Sequence, residues 1–94
     1  MIIKVTSASF SKHPVLRATL LKLFPNAQFN EENRKYNRKE LIAYLKDANG
    51  VVLGLEEMDE EVLVNCPNLK IISKFGVGLD NLNVNACKKH GIAI

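Results

Sequence analysis

Short apolar runs that alternate with segments of helical period constrain the fold of this chain more than any other feature. Most of these runs are rich in β-branched residues, and they lie at residues 2–5, 27–30, 51–54, 69–73 and 92–94. Between them, leucine and other apolar residues recur three and four positions apart, as on one face of a helix. Strands that alternate with helices imply a parallel sheet with helices on both faces. The pattern therefore predicts an α/β domain.

The spacing of these elements fits a flavodoxin-like, doubly wound domain with a five-stranded parallel sheet in the order 2-1-3-4-5. Pro14 is suited to the first turn of a helix, because it has no amide hydrogen to leave unpaired. Asp59 and Asn83 precede helical segments and are predicted N-caps, whereas Gly50 and Gly91 are predicted C-caps. The hydroxyl-rich stretch after the first strand is predicted to end that strand and to form a loop.

Length and charge limit the classes of function that remain. With 94 residues, the chain is at most one domain with one modest core. No apolar run reaches the roughly 18 residues of a membrane span, so no membrane partner is expected. The net charge of +3 invites a nucleic-acid interpretation. However, the basic stretch 33–39 is matched by the acidic stretch 56–61, so no face of a single sign is expected and nucleic acid is not a predicted partner.

The cysteines and histidines do not indicate a metal site. Cys66 and Cys87 lie among apolar residues of predicted helices, which favours buried thiols in a reducing, cytoplasmic compartment. Neither these residues nor His13 and His90 show the short spacings that metal sites use. No metal is therefore predicted.

Three loops are predicted to hold any ligand site. In an open parallel sheet, ligands bind beyond the carboxyl ends of the strands. Residues 6–11, 54–58 and 74–81 follow the first, third and fourth predicted strands. The first of these loops is rich in Ser and Thr, a composition that is typical both of anion-binding loops and of ordinary turns.

The third loop contains two glycines, at positions 76 and 78, and raises the question of a dinucleotide-binding turn. The fingerprint of such a turn, GxGxxG, requires a third glycine where this chain has Asn81, and it follows the first strand of its domain rather than the fourth. The loop is therefore not predicted to bind a pyrophosphate. Two interpretations remain: a tight turn that needs positive φ, or a turn whose amide groups converge on a small anion such as a carboxylate.

The segment NCPNLKIISKFGVGLDNLNVNACKKHGIAI, residues 65–94, strongly resembles the N-terminal, substrate-binding domain of D-isomer-specific 2-hydroxyacid dehydrogenases. Within that family it is most similar to the phosphoglycerate dehydrogenase-like branch. The shared motifs are PNLK before the strand, GVGLDN after it and GI before the next strand, and the segments VTSASF and DANGVVLGLEEMDEEVL fit the same branch.

The resemblance implies an oxidoreductase that transfers a hydride between NAD and a small 2-hydroxy or 2-keto acid. Such enzymes have two domains, and the catalytic Arg, Glu and His lie in the NAD-binding Rossmann domain. That domain has no counterpart in residues 1–94, so this chain is expected to be a fragment that contains no catalytic residue and is inactive alone. His13 and His90 do not match the family's catalytic histidine.

The resemblance also assigns substrate-binding residues. The loop Phe75, Gly76, Val77 and Gly78 matches the family's carboxylate-binding loop, and Val77 also matches a position near the nicotinamide of the cofactor. Gly54 and Leu55 match a loop that lines the substrate pocket. Together the two loops form the predicted substrate-binding set: Gly54, Leu55, Phe75, Gly76, Val77, Gly78. Many relatives have an Arg-Ser pair where this chain has Gly-Leu, which places 3-phosphoglycerate in doubt as substrate. Asp80 and Asn81 match a pair expected to bond the backbone.

Two further expectations remain open beside this assignment. The chain could be a stand-alone module that binds a small acid or associates with itself, without catalysis. In the family, a C-terminal helix returns to cover part of this domain, so without it an apolar patch is expected to drive homo-oligomer formation.

Overall fold

The computed structural model describes residues 1–76 and 78–94, which form a three-stranded sheet and five helices. The elements in chain order are β1 (Ile3–Val5), α1 (Ala8–Lys12), α2 (Pro14–Leu23), α3 (Arg38–Leu45), β2 (Gly50–Leu53), α4 (Glu60–Val64), β3 (Ile71–Lys74) and α5 (Val84–Lys89). The α/β class is as predicted. Among the described helices, none has the length and apolar character needed to cross a membrane.

The sheet is parallel throughout and has the order β1-β2-β3. It has three strands where five were predicted, because the segments at its two edges each make only a single bridge. Gln28 pairs in parallel with Lys4 of β1, and Ala93 pairs in parallel with Ile71 of β3. At the first edge, the backbone amide of Asn30 donates to the hydroxyl of Ser11 at 3.0 Å, and its side-chain amide donates to the carbonyls of Thr6 and Arg34.

The core lies mainly on one face of the sheet. There, α3, α4 and α5 pack their apolar residues against β2 and β3, and the largest fully buried side chains are Leu41, Leu45, Leu53, Met58, Val62 and Ile72. A smaller cluster of Val5, Phe29 and Val52 lies on the other face, with Phe10 and Leu20 of the first two helices against it. Ile72 of β3 is buried, whereas its neighbour Ile71 is 44% exposed. The second face is therefore only partly covered.

Several helix ends follow the local sequence signals. The carboxylate of Asp59 accepts a hydrogen bond from the amide of Val62 at 3.0 Å, and the Asn83 side chain does the same for Ala86 at 3.0 Å. Gly91 follows α5 with φ of 70°. The predicted caps at Asp59, Asn83 and Gly91 are thus confirmed.

Two local predictions were wrong. The stretch after β1 forms the short helix α1, since the hydroxyl of Ser7 accepts a hydrogen bond from the amide of Phe10 at 3.1 Å and caps it. Gly50 is not a C-cap but the first residue of β2. A Cβ atom there would lie 2.7 Å from Cδ1 of Ile3 and 3.0 Å from Cγ2 of Ile71, so glycine avoids crowding between adjacent strands.

Candidate functional site

The loops after the three strands lie side by side at the carboxyl edge of the sheet. The amide of Thr6 donates to the carbonyl of Val52 at 3.0 Å, and the amide of Phe75 donates to the carbonyl of Leu53 at 2.8 Å. The rings of Phe10 and Phe75 meet edge to face, with their centroids 5.3 Å apart. The structure therefore brings together the three loops that the sequence singled out.

The glycine loop after β3 is a left-handed turn at the protein surface. Gly76 has φ of 128° and Gly78 has φ of 81°, values that residues other than glycine rarely adopt. Val77, and with it the predicted contact to a cofactor, lies outside the described residues. A Cβ atom at Gly76 would lie 3.3 Å from Nζ of Lys74, so an ammonium group lies next to the turn. Positive charge and side-chain-free backbone at one place suit an anionic ligand.

Asn81 joins the glycine loop to the loop after β2. Its side-chain amide donates to the carbonyl of Gly54 at 3.0 Å and to the carbonyl of Glu56 at 2.7 Å. Its own carbonyl accepts a hydrogen bond from the amide of Met58 at 2.8 Å. The family resemblance implied this backbone-bonding role for Asn81. Asp80 is exposed and shows no such bond within the described part of the chain.

The loop after β2 begins at a glycine that is enclosed by the first loop. The amide of Gly54 donates to the hydroxyl of Thr6 at 2.9 Å, and a Cβ atom there would lie 3.1 Å from Cα of Ser7. A side chain at this position would therefore push the two loops apart. Leu55 follows with its side chain 75% exposed, which leaves an apolar surface available to a ligand or to another part of the protein.

Glu56 is a residue of the site that the sequence reasoning missed. It is only 4% exposed, and its Oε2 accepts a hydrogen bond from the amide of Tyr36 at 3.2 Å. Its Oε1 has no partner within residues 1–76 and 78–94. In the sequence it belongs to an acidic stretch before a helix, a context typical of exposed carboxylates. Only its position directly after Gly54 and Leu55 could have drawn attention to it.

A cavity of about 200 Å³ opens between residues 6–9, 33–35 and 54–56. Gly54 and Leu55 of the predicted substrate set line it, whereas Phe75, Gly76 and Gly78 do not. The predicted residues thus fall into two neighbouring groups, one at the glycine turn and one at this cavity.

The histidines and cysteines take structural positions. Nδ1 of His13 caps α2, and Nε2 of His90 lies 3.8 Å from a carboxylate oxygen of Glu60. Cys66 and Cys87 are free and buried, and burial raises the pKa of both thiols. Among the described residues, no three metal-ligating side chains cluster together.

Comparison with known proteins gives a family. The model of the D-isomer specific 2-hydroxyacid dehydrogenase catalytic domain matches residues 6–94. A glyoxylate reductase of Pyrococcus furiosus is 37% identical over 65 residues, which are 68% of this chain and 19% of that protein. A glyoxylate/hydroxypyruvate reductase B of Yersinia pestis is 38% identical over 58 residues, 62% of this chain and 18% of that protein. The chain thus spans only about a fifth of the length of these relatives.

Solved structures show the same fold. The NAD⁺-bound 3-phosphoglycerate dehydrogenase of Entamoeba histolytica superimposes with a TM-score of 0.80 at 25% identity, over 100% of this chain and 32% of the other. A D-isomer specific 2-hydroxyacid dehydrogenase of Polaromonas gives a TM-score of 0.88 at 22% identity, over 98% and 28%. Since the family model spans nearly the whole sequence, the chain belongs to the D-isomer specific 2-hydroxyacid dehydrogenase family.

Proposed function

We propose that this chain is the N-terminal, substrate-binding part of an NAD-dependent D-2-hydroxyacid dehydrogenase, which transfers a hydride between NAD and a small 2-hydroxy or 2-keto acid. The observation that carries the proposal is the left-handed turn at Gly76 and Gly78, on the carboxyl edge of a parallel sheet and beside the ammonium of Lys74. Ligands of open α/β sheets bind at this edge.

The turn suits the acid end of such a substrate. Main-chain N–H groups of Gly76, Val77 and Gly78 are proposed to donate to the substrate carboxylate, because glycine leaves room for close approach of backbone to ligand. Phe75 completes this loop, and Leu55 supplies apolar surface for the carbon chain. The bonds from Asn81 hold the two loops in register, so both contacts can form at once.

NAD is proposed to bind mainly to a second domain that residues 1–94 do not include. The turn after β1, where a dinucleotide-binding domain has its glycines, is Thr6-Ser7 here, and Ser7 caps a helix of only five residues. These residues do not fit a pyrophosphate. When bound, NAD supplies or accepts the hydride, and this chain holds the acid. We place the acid–base groups in the same second domain and expect residues 1–94 alone to be inactive.

The partly covered sheet supports the incomplete-domain proposal. Parallel sheets are normally covered on both faces, yet an apolar groove of about 390 Å³ runs along β2 and β3 between Ile3, Val52 and Ile71. In the parent enzyme, the returning C-terminal helix would cover this groove, and the sheet would have five strands in the order 2-1-3-4-5. In this chain alone, we propose that a second copy covers it, giving a homo-oligomer. A clean monomer in sedimentation at millimolar concentration would contradict this.

A stand-alone module that binds a small acid or associates with itself, without catalysis, is the alternative. Two buried free thiols are compatible with the cytoplasm, which we propose as the compartment for either version. Turnover of a hydroxy acid by this chain with NAD would refute our placement of the catalytic groups. A gene sequence that continues beyond Ile94 with a GxGxxG motif and the catalytic Arg, Glu and His would support the dehydrogenase over the stand-alone module.

An NMR titration with glyoxylate and D-lactate tests the turn itself. We expect amide shifts at Gly76 and Gly78, and weaker binding in Gly78→Ala. Gly91→Ala is the matched control, because both glycines have positive φ and neither has atoms closer than 3.9 Å to an added Cβ. Both variants should lose about 1–2 kcal/mol of stability. No shift at millimolar acid, or equal binding by both variants, would leave the turn a purely structural feature.

A further inference from the structure

Asn49 and Gly50 are the single Asn-Gly pair of the sequence, and they lie where the chain enters β2. In such a pair the amide nitrogen of the glycine can attack the side-chain carbonyl carbon of the asparagine, because glycine has no Cβ to hinder the approach. An Asn-Gly pair usually marks a turn, whereas this one opens the central strand of the sheet. The fold therefore holds a reactive pair at a place where its reactivity can be controlled.

One residue, Ile2, holds both reacting groups of this pair. Its amide donates to Oδ1 of Asn49 at 2.7 Å, and its carbonyl accepts hydrogen bonds from the amides of Asn49 at 2.8 Å and Gly50 at 3.2 Å. While these bonds persist, the side-chain carbonyl of Asn49 stays on the Ile2 amide, and the Gly50 nitrogen is engaged as a donor. Ile2 lies directly before β1, so the attack requires this end of β1 to leave the sheet.

Packing and hydrogen bonding explain why two residues of this reactivity stand together. A Cβ at Gly50 would lie 2.7 Å from Cδ1 of Ile3 and 3.0 Å from Cγ2 of Ile71, which disfavours a larger residue. The asparagine side chain accepts from the Ile2 amide and donates to the carbonyl of Asn68 at 3.4 Å. A neutral amide can do both, whereas a carboxylate can only accept. The same contacts that join the strands at this end therefore require the reactive pair.

We propose that Asn49 is a deamidation site whose reaction is controlled by the release of Ile2 from the sheet. After release, the nitrogen of Gly50 loses its proton to hydroxide and forms a bond to Cγ of Asn49. The bond from Cγ to Nδ2 breaks, and ammonia leaves with a proton taken from water. Water then opens the resulting cyclic imide at either carbonyl, which gives aspartate or isoaspartate without any change of oxidation state. The inference needs neither NAD nor an acid substrate, so it is independent of the proposed function.

The two products affect the sheet differently. Aspartate keeps an acceptor for the Ile2 amide, but it loses the donor to the Asn68 carbonyl and adds a negative charge. Isoaspartate routes the main chain through the side-chain carbon and lengthens it by one atom directly before β2. Because Gly50 pairs with both Ile3 and Ile71, the extra atom disturbs the register on both sides of β2. Deamidation therefore converts a transient opening of β1 into a permanent defect of the sheet.

The test follows deamidation of the full 94-residue chain in neutral buffer, with and without urea at a denaturing concentration. Peptide mass spectrometry detects the exchange of the side-chain NH2 for OH, and enzymatic methylation of isoaspartate identifies that product. We expect the folded chain to react at least about tenfold more slowly than the unfolded chain, because the sheet must first open locally. Hydrogen exchange of the Gly50 amide requires the same opening, so its protection factor should equal the slowing of deamidation within about threefold.

Ile2→Pro removes the amide that holds Oδ1 of Asn49, so it should speed deamidation of the folded chain several-fold and leave the rate in urea unchanged. Asn81→Ala is the control, because it loosens loops at the opposite edge of the sheet and should leave the rate at Asn49 unchanged. Equal rates in the folded and unfolded chain would overturn the inference. So would no acceleration by Ile2→Pro, or equal acceleration by both variants, which would mean that global unfolding controls the reaction.

A second measurement covers the case in which Ile2→Pro does not fold, since the hydrogen-exchange comparison uses the unsubstituted chain. A Gly50 amide protected far more strongly than deamidation is slowed would mean that the reaction proceeds in the closed sheet. That result would refute control by Ile2, whereas matching values would support it.

Discussion

Replacing Asn81 by alanine should loosen both the fold and the candidate site, because one side-chain amide joins two loops. Its Nδ2 donates to the carbonyls of Gly54 at 3.0 Å and Glu56 at 2.7 Å. A hydrogen bond contributes about 0.5–1.5 kcal/mol net, and a buried carbonyl left without a donor costs more. Asn81→Ala should therefore lower the free energy of unfolding by about 2 kcal/mol, or roughly 8–16 °C in Tm for a domain of this size.

Urea unfolding followed by circular dichroism measures this change, with Asn65→Ala as the control. The side-chain amide of Asn65 makes a single exposed bond to the carbonyl of Glu61 at 2.8 Å, so its loss should change stability by less than about 0.5 kcal/mol. Amide shifts at Gly54 and Glu56 should move in Asn81→Ala only. If both variants were equally stable, the view that this amide holds the loops together would be refuted.

Two further perturbations test the packing and the electrostatics. Gly50→Ala places a Cβ 2.7 Å from Cδ1 of Ile3 and 3.0 Å from Cγ2 of Ile71. The terminal methyl of Ile3 can turn aside, but Cγ2 of Ile71 is attached directly to the branched Cβ of a strand residue. The overpacking cost of about 1–3 kcal/mol should therefore exceed the entropic gain of about 0.4–1 kcal/mol, and urea unfolding should show a net loss. A more stable variant would contradict this. Burial acts to raise the pKa of Asp59, but hydrogen bonds from the amide of Val62 and from Arg38 outweigh it and hold the pKa below its usual value. The contribution of the Asp59 carboxylate to stability is therefore present above its unfolded pKa and is lost as pH falls from about 5 towards 2. Asp59→Asn should lose less stability than the unsubstituted chain over that pH range. Parallel stability profiles for the two proteins would refute this role of Asp59.

The candidate site was predictable where its geometry is local. Two glycines one residue apart after an apolar strand predict a turn with positive φ, and Gly76 and Gly78 both adopt it. The resemblance added a role for Asn81 that its hydrogen bonds confirm. The buried position of Glu56 was not predictable, because its carboxylate bonds to the amide of Tyr36, which is 20 residues away in sequence.

The sequence by itself determined the α/β class and the helix caps at Asp59, Asn83 and Gly91, because those features arise from bonds between residues at most four positions apart. Only the tertiary structure decided that Gly50 serves packing against Ile3, and that the segments at the sheet edges pair at single residues. It also decided that one carboxylate oxygen of Glu56 is buried without a donor. These features depend on which segments, distant in sequence, come into contact in the fold. Hydrophobic patterns and residue propensities describe neighbours in sequence and do not specify such contacts.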